Sequence, residues 1–422
     1  MSKILNLLYD EWDYERDVPY LNGYKFIDEN KLENLYNFFN DHIIGRFQSD
    51  MKFTIKNYNI DEINESENFF WILGYKNYYF SQIIEKKLPL SEVLKEKIRL
   101  NKNIKIIFLT LHDAEEENGF LKLIELIKNE NLPEEQFYFI NNNSNLILFQ
   151  KKFVTKINTH KLSLLPISAV GCLINIGGCR YNINKDGKFF MCFNNKHKEH
   201  RVSAILMLKK YELLDETNWS YIGDKGDKDI MTMISTVIDQ SYIKNLKDEI
   251  DFFDTVNMKF SDYEQGQYNN IFDFHTKYSN TKNNILGIPE FVENYEQSYV
   301  NIVTESHFFS EHNILQITEK SFKPFYYYQF PIFITSPNHI KTLKEKYDFD
   351  FFDDIINHDY DEIFDNKKRF DFIIKELLRI NSIKETFKKF YIDNKIRFDN
   401  NKIKVEKIIN NNDDYLFFEK LI

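Results

Sequence analysis

The sequence predicts an α/β protein made of two domains and a helical tail. Short apolar runs alternate with stretches of helical spacing in both halves of the chain, which is typical of a parallel sheet covered by helices. A turn signal, "NKDG" at Asn184–Gly187, separates the two series. We therefore predict an N-terminal α/β domain over residues 1–183, a C-terminal α/β domain over 184–350, and a helical tail over 351–422 that packs back on the domains.

In the first domain, strands are predicted where apolar runs are short, and helices where apolar residues recur at helical spacing. The predicted strands are Asn68–Tyr75, Ile104–Leu111 and Asn145–Gln150, and the predicted helices are Asp28–Phe47 and Glu116–Leu132. Polar or helical sequence follows each strand, so we expect the strands to run parallel.

The second domain repeats this order. Strand Lys188–Asn194 leads through a polar loop into an amphipathic helix, Arg201–Leu214. Strand Tyr299–Ser306 leads, through a loop and a short helix that starts at Thr318, into strand Pro331–Thr335. Ligands of such sheets bind at the carboxyl ends of the strands. We therefore expect a binding cleft where the two domains face one another.

Composition and charge narrow the class of protein. With 43% hydrophobic and 28% charged residues, the chain of 422 residues has the composition of a globular protein with a large core. The net charge of −10 argues against a general nucleic-acid binder, although a local basic groove is compatible with it. Lysine and asparagine are abundant, as in proteins of A/T-rich genomes, whereas arginine occurs only eight times. A well-placed arginine is therefore the more informative signal.

Cysteine usage and hydropathy predict where the protein acts. Cys172, Cys179 and Cys192 form no CxxC pair, so we expect reduced core thiols and a cytoplasmic protein, in the host cytoplasm if the chain is viral. Acidic residues from Asp10 onward interrupt any early apolar run, which argues against a signal peptide. The least polar segment, Leu162–Cys179, contains a proline and a glycine pair. Two buried strands explain it better than a membrane span does.

The stretch "QITEKSFKPF" at Gln316–Phe325 places two lysines where a helix dipole favours anions. Either Lys320 and Lys323 simply face solvent in the first turn, or an anion lies between them and the helix end. Free N–H groups at such an end form an anion site, and Lys320 beside them would bind a phosphate as a point charge. Lys323, one turn further in, is expected in solvent or behind the site.

Arg201 raises the same question at another strand-to-helix junction of this domain. It opens the helix that follows strand Lys188–Asn194, and its guanidinium can fork onto a diphosphate in a way that lysine cannot. The alternative is a surface arginine at a helix start. Two helix N-termini, each with a cation that the dipole disfavours, indicate one shared anion.

Three segments of the C-terminal half carry a family resemblance. "NIVTESHFFSEHNILQITEKSFKPFYYYQFPIFIT" (Asn301–Thr335) resembles the C-terminal signature of the alpha-1,3-fucosyltransferases, in which a Glu-containing strand end leads to a Thr-Glu-Lys that opens a helix. "MCFNNKHKEHRVSAILML" (Met191–Leu208) resembles their strand–Asn–loop–Arg–helix segment. Both are also similar to glycosyltransferases of tailed phages and large DNA viruses, which continue with a stretch like Asp350–Phe370. The resemblance covers Phe189–Phe370 with gaps.

The resemblance implies a GT-B glycosyltransferase, with two Rossmann-like domains that face one another across a cleft. Such an enzyme moves a sugar from a nucleotide-sugar donor to an acceptor hydroxyl, with inversion, and needs no metal or other cofactor. The acceptor would be a glycan or a modified base of viral DNA. By position, Glu319 would hold the ribose, and Lys320 and Arg201 would hold the diphosphate.

Three further residues are assigned to the donor by the same resemblance. Asn194 and Thr318 lie in the matching motifs, and Glu305 matches an acidic residue near the sugar and base. The chain departs from the family at Gln316, because the fucosyltransferases usually carry an aromatic residue two positions before the Thr. That departure leaves the identity of the base and of the sugar open.

The first domain must then supply the acceptor site and a general base that takes the proton of the acceptor hydroxyl. The candidates are His112, Asp113 and Glu115 in "LHDAEEENG", at the carboxyl end of strand Ile104–Leu111. An acidic helix N-terminus is the alternative interpretation, since Asp and Glu are favoured there. A second acidic and aromatic loop, Tyr9–Tyr20, could also line a sugar site.

Two other functions stay open. A non-catalytic nucleotide- or glycan-binding protein of the same fold would keep the donor residues and lack the base. A metal-dependent GT-A enzyme would use Asp348 and Asp350, which resemble its DxD metal clamp, although a solvated turn explains them as well. His197 and His200 have the spacing of metal ligands but no third ligand is apparent, so we predict no metal site.

Overall fold

The chain divides into two compact units. The first comprises Met1–Leu165, His312–Gln316 and Asn411–Ile422, and the second comprises Pro166–Glu311 and Ile317–Asn410. Sequence analysis instead places the domain boundary at residue 183. The computed structural model describes residues 3–9, 53–59, 61, 63, 67–75, 88, 90–110, 117–161, 179–194, 197–221, 230–255, 259–260, 294–409, 417 and 420.

The first unit contains a six-stranded sheet in which every neighbouring pair is parallel, with the order β2-β1-β3-β4-β5-β6. Its strands are β1 Lys3–Tyr9, β2 Phe53–Asn59, β3 Phe69–Tyr75, β4 Ile104–Thr110, β5 Phe137–Asn141 and β6 Asn158–Lys161. Its helices are α1 Glu92–Leu100, α2 Glu117–Asn129 and α3 Leu146–Phe153, with a 3-10 turn at Glu134–Gln136. Apolar residues of α1 and α2 at helical spacing pack on the sheet and form one buried core.

The sequence predicts three elements of this unit correctly and one wrongly. The strands predicted at Asn68–Tyr75 and Ile104–Leu111 are β3 and β4, and the helix predicted at Glu116–Leu132 is α2. The strand predicted at Asn145–Gln150 is wrong, because this stretch forms most of α3. A short apolar run does not distinguish strand from helix. The helix Asp28–Phe47, the loop after Tyr9 and most of the segment Leu162–Cys179 lie outside the described residues.

The second unit contains a five-stranded sheet in the order β11-β10-β7-β8-β9. Its strands are β7 Phe190–Asn194, β8 Thr217–Tyr221, β9 Lys259–Phe260, β10 Val300–Thr304 and β11 Phe330–Ile334, of which only β9 is antiparallel to its neighbour. Every position of β10 and β11 is buried, as expected for a parallel sheet covered on both faces. The strand order reverses between β7 and β10.

The helices of the second unit surround this sheet. They are α4 Glu199–Lys210, α5 Ile230–Ser235, α6 Gln240–Ile243, α7 Lys247–Thr255, α8 Lys323–Tyr326, α9 His339–Tyr347, α10 Asn366–Ser382, α11 Lys384–Asp393 and α12 Lys395–Ile409, with 3-10 turns at Leu214–Glu216, Glu319–Ser321 and Asp359–Glu362.

The structure confirms the α/β class and the helical character of the tail. The strands predicted at Lys188–Asn194, Tyr299–Ser306 and Pro331–Thr335 correspond to β7, β10 and β11. Of the cysteines, Cys179 and Cys192 are buried free thiols. Among the described helices, none combines the length and the apolar character that crossing a bilayer requires.

Arg369 of α10 holds the tail against the sheet of the second unit. It is 1% exposed, and its guanidinium donates to the backbone oxygens of Thr335 at 3.0 Å and Ile363 at 2.7 Å, and to that of Phe308. The same guanidinium lies 4.4 Å from the Phe308 ring centroid and donates to Asn366 Oδ1 at 2.8 Å. Arg369 is therefore a structural cation whose hydrogen-bonding groups are used within the protein.

We expect Arg369→Ala to lower the free energy of unfolding by about 3 kcal/mol or more, because it leaves several buried carbonyl groups without donors. Urea denaturation followed by circular dichroism measures the change. Lys388→Ala is the control, since Lys388 and its partner Glu385 are 37% and 75% exposed and such pairs contribute about 1 kcal/mol or less. Equal stability of the two variants would contradict the structural role of Arg369.

Candidate functional site

The candidate site lies at the point where the strand order of the second sheet reverses. Asn194 ends β7, Glu305 follows β10, and Arg201 lies in the first turn of α4, the helix that follows β7. The Thr304 hydroxyl donates to Asn194 Oδ1 at 2.6 Å and so joins the two strand ends. Ligands of open α/β sheets bind at such a switch point, outside the carboxyl ends of the strands.

The carboxylate of Glu305 is fully buried and binds groups of the protein itself. The hydroxyl groups of Thr318 and Ser321 donate to it at 2.8 and 2.5 Å, and the backbone N–H of Ser306 donates at 3.1 Å. Glu305 thus fixes the turn that carries the Thr-Glu-Lys motif. Its predicted contact with sugar and base stays a prediction, while its contacts here are those of a positioning residue.

The turn after Thr318 is less helical than the sequence predicts. Thr318 caps a 3-10 turn, Glu319–Ser321, and α8 then continues for only four residues. The segment ends at Tyr328, whose positive φ of 56° breaks the helical path. A helix of this length has little dipole, so the charge at this turn comes from its side chains.

Three charged side chains of this turn lie close together. The Lys320 ammonium donates to Glu319 Oε1 at 3.0 Å. Burial raises the pKa of the Glu319 carboxyl, but the Lys320 and Lys323 ammonium groups outweigh it and hold that pKa at about 2. Glu319 therefore stays ionised at neutral pH.

Lys323 does not face solvent. Sequence analysis places it in solvent or behind the site, and the structure leaves it 3% exposed. Its ammonium lies 5.7 Å from the ring centroid of Tyr295 and makes neither a hydrogen bond nor an ion pair with a described residue. Burial lowers the pKa of Lys323 to about 7, against the opposing effect of Glu319. The apolar sequence that follows, "PFYYYQFPIF", is the signal that could have predicted this burial.

Arg201 is the most unusual residue of the site. It is 3% exposed, so it is not the surface arginine of the alternative interpretation. One guanidinium nitrogen donates to the backbone oxygens of Thr304 at 3.3 Å and Glu305 at 3.2 Å. Its Nε–H is buried and has no acceptor among the described residues. Burial lowers the pKa of Arg201, which the carboxylates of Glu305 and Glu319 oppose.

Arg201, Glu319, Lys320 and Lys323 together form what we call the anion cluster. The cations Arg201, Lys320 and Lys323 lie near two carboxylates, Glu305 and Glu319, and Arg201 forms no ion pair with a described carboxylate. Buried charges are normally paired and hydrogen-bonded. The buried Nε–H of Arg201, which has no acceptor among the described residues, makes the cluster a candidate anion site.

The sequence-predicted metal ligands that the structure describes contact groups of the protein itself, His197 through the Tyr221 hydroxyl, whereas the predicted bases are not described. His200 Nε2 is hydrogen-bonded to the Glu305 backbone oxygen at 2.8 Å. Asp350 is paired with Arg397 at 2.6 Å and Asp348 with Lys404 at 2.8 Å. The described residues contain no group of three or more side chains that could hold a metal ion. The predicted bases His112, Asp113 and Glu115 lie outside the described residues.

A comparison of the chain with known protein families, curated proteins and solved structures finds no match.

Stability should rise with pH because of Lys323. The unfolded chain holds this proton up to the ordinary lysine pKa of 10.5, whereas the folded protein releases it at about 7. Unfolding therefore takes up a proton between these two values, so the free energy of unfolding increases as pH rises through this window. Lys185, whose pKa burial also lowers to about 7, contributes in the same direction.

Lys323→Met should consequently remove about half of this pH dependence, as measured by urea unfolding at several pH values between about 7 and 10.5. Lys388→Met, a change at an exposed lysine, is the control and should leave the dependence as in the wild type. An unchanged slope in Lys323→Met would show that Lys323 is not a buried charge.

Proposed function

We propose that the protein is a metal-independent GT-B glycosyltransferase that moves a sugar from a nucleotide-sugar donor to an acceptor hydroxyl, with inversion. The observation that carries the proposal is Arg201, a buried guanidinium with an unused donor at the switch point of a parallel sheet. Glu319 and Lys320 lie in the positions that the fucosyltransferase resemblance assigns to the ribose and the diphosphate. The fold class supports the same proposal.

The anion cluster suits the chemistry of a departing nucleoside diphosphate. As the bond between sugar and diphosphate breaks, negative charge grows on the phosphate oxygens. Cations that are already in place stabilise this charge without reorganisation, and burial strengthens their effect. Arg201 can donate two parallel hydrogen bonds to phosphate oxygens, whereas Lys320 and Lys323 act as point charges.

Glu319 complements these cations on the neutral part of the donor. Its carboxylate is ionised and accepts one bond from Lys320 at 3.0 Å. An ionised carboxylate has further acceptor positions, and two neighbouring ribose hydroxyls would occupy them. Asn194 and Glu305 would act through Thr304 and Thr318, since their polar groups bind those side chains.

The reaction also needs a base on the acceptor side. We propose that Asp113 or Glu115, with His112 beside them, takes the proton of the acceptor hydroxyl as it attacks the anomeric carbon. The acceptor is a glycan or a modified base of viral DNA. A non-catalytic protein that binds nucleotides or glycans would have the same donor site. Only an assay of sugar transfer or donor hydrolysis distinguishes it from the enzyme.

A metal-dependent GT-A enzyme is less compatible with the structure. The Asp350 carboxylate makes two bonds to Arg397, at 2.6 and 2.8 Å. Asp350 Oδ1 also accepts the Phe352 N–H at 2.8 Å. These contacts give Asp350 a structural role, because they join α12 to the loop that follows α9.

Nucleoside diphosphates should raise the melting temperature without added metal and in the presence of a chelator. At a ligand concentration about a hundred times Kd, the gain is about 2.7 kcal/mol, or roughly 3 °C for a chain of this size. The measurement is a thermal-shift screen of nucleoside diphosphates and nucleotide sugars. Arg201→Ala and Lys320→Ala should abolish the gain.

Lys388→Ala, which removes an exposed cation, is the matched control and should keep the gain. If the rise in melting temperature requires Mn²⁺ and persists in both Arg201→Ala and Lys320→Ala, the proposal is wrong and the GT-A enzyme is the better interpretation.

Asp113→Asn or Glu115→Gln should abolish sugar transfer and spare donor binding. A general base contributes about a hundredfold to ten-thousandfold to the rate, so loss of the true base is easily detected. Transfer and hydrolysis of the stabilising nucleotide sugar are measured for the wild type and for each variant. If both variants stay active, the base lies elsewhere. If the wild type binds the donor but neither transfers nor hydrolyses it, the protein is the non-catalytic alternative.

A further inference from the structure

The loop that follows β5 in the first unit is built almost entirely from asparagine. It reads "NNNSN" at Asn141–Asn145, and we call it the asparagine loop. It lies at the carboxyl end of a strand in the parallel sheet, the edge at which ligands of α/β sheets bind. Sequence analysis gave this stretch no function, since asparagine is common throughout the chain.

Two asparagines of the loop have clear structural roles. Asn141 Oδ1 accepts the N–H of Asn143 at 2.7 Å. Asn143 Oδ1 accepts the N–H of Asn145 at 2.9 Å and that of Leu315 at 3.2 Å. Its Nδ2 donates to the backbone oxygen of Asn313 at 3.4 Å. These two side chains therefore shape the loop and hold the segment His312–Gln316, which belongs to the same unit.

Asn142 differs from both of its neighbours. It is 1% exposed, yet neither its Oδ1 nor its Nδ2 has a hydrogen-bond partner among the described residues. The buried hydroxyl of Ser144 is in the same state, although its backbone N–H donates to the Leu315 oxygen at 2.8 Å. Burying a carboxamide without partners is unfavourable. The loop thus holds two acceptor oxygens, Asn142 Oδ1 and Ser144 Oγ, and several donor hydrogens that no described residue uses.

The chemistry of these groups selects a neutral ligand. Neither side chain carries charge. Glu117, which the hydrogen-bond network of the described residues reaches through Asn313, accepts from Asn313 Nδ2 at 2.8 Å and is paired with Lys152. A carboxamide and a hydroxyl donate and accept hydrogen bonds at the same time, as sugar hydroxyls do. A nucleic acid would instead bring phosphates, which require unpaired cations.

We propose that Asn142 and Ser144 form a hydrogen-bonding subsite for the hydroxyl groups of a neutral saccharide. The assignment of that saccharide as the acceptor rests on the proposed function. The acceptor class would then be a glycan rather than a base of DNA, and the subsite would lie on the unit that carries the predicted base.

The test compares two substitutions that remove the same chemical group from neighbouring positions. Both substitutions introduce the same larger, branched apolar side chain, and Asn142→Leu removes hydrogen-bonding groups that no described residue uses. Asn143→Leu is the matched control, because it removes bonds to Asn145, Leu315 and Asn313. We expect Asn142→Leu to melt at a higher temperature than Asn143→Leu, because both variants carry the same larger side chain and only Asn143→Leu loses hydrogen bonds to described residues.

Binding is measured by saturation-transfer NMR titrations with a panel of neutral methyl glycosides, in the presence of the stabilising nucleoside diphosphate. Asn142→Leu should weaken the best glycoside about tenfold, the effect of losing one or two neutral hydrogen bonds. Ser144→Ala should weaken it less. The stabilisation by nucleoside diphosphate should be the same in Asn142→Leu as in the wild type.

Equal melting temperatures of Asn142→Leu and Asn143→Leu, both below the wild type, would make Asn142 structural and overturn the proposal. Unchanged glycoside affinity in Asn142→Leu would also overturn the proposal. The same holds if the wild type binds short DNA duplexes instead of glycosides and Asn142→Leu loses that binding. A wild type that responds to nucleoside diphosphates and binds no glycoside refutes the subsite and leaves the proposed function intact. If the wild type binds a glycoside, Asn142→Leu loses that binding, and nucleoside diphosphates do not stabilise the protein, only the proposed function is refuted.

Discussion

The buried carboxylate of Glu305 is the interaction on which the candidate site depends. Its oxygens accept from Thr318 and Ser321, and its backbone oxygen accepts from His200 and Arg201. One residue at the end of β10 therefore fixes both the turn that carries Glu319 and Lys320 and the start of α4. Because a buried carboxylate is unfavourable without such partners, the two segments are held in place by the same requirement.

Buried cations in this chain fall into two groups that burial alone does not distinguish. Lys185 donates to the backbone oxygens of Ser298 at 2.7 Å and Tyr328 at 3.0 Å, and Arg369 donates to backbone oxygens around it. These cations are satisfied within the fold. Arg201 is buried to the same degree but has an unused donor. Counting hydrogen-bond partners, more than counting charges, separates a structural cation from one that binds a ligand.

The sequence predicts the elements that local pattern determines and misses those that depend on distant contacts. Continuous apolar runs identify β4, β10 and β11, whereas "NLILFQ" is ambiguous because it is short and packs on one face only. Arg201 stands out because arginine is rare in this chain. The positioning contacts of Glu305 and the burial of Lys323 come from residues far apart in sequence. Asn142 is one of several asparagines in its loop. Only the lack of described hydrogen-bond partners distinguishes it from the others.

The anion cluster and the asparagine loop share one physical property, which is buried hydrogen-bonding capacity that the described residues leave unused. Such groups weaken the folded state, because they lose their interactions with water and gain none within the protein. A sequence under pressure for stability alone would replace Asn142 by an apolar residue and pair Arg201 with a carboxylate. Buried polar groups without hydrogen-bond partners are therefore the places at which to look for ligand binding. In this protein they lie at the carboxyl ends of parallel strands in two sheets, the edge at which α/β proteins bind their ligands.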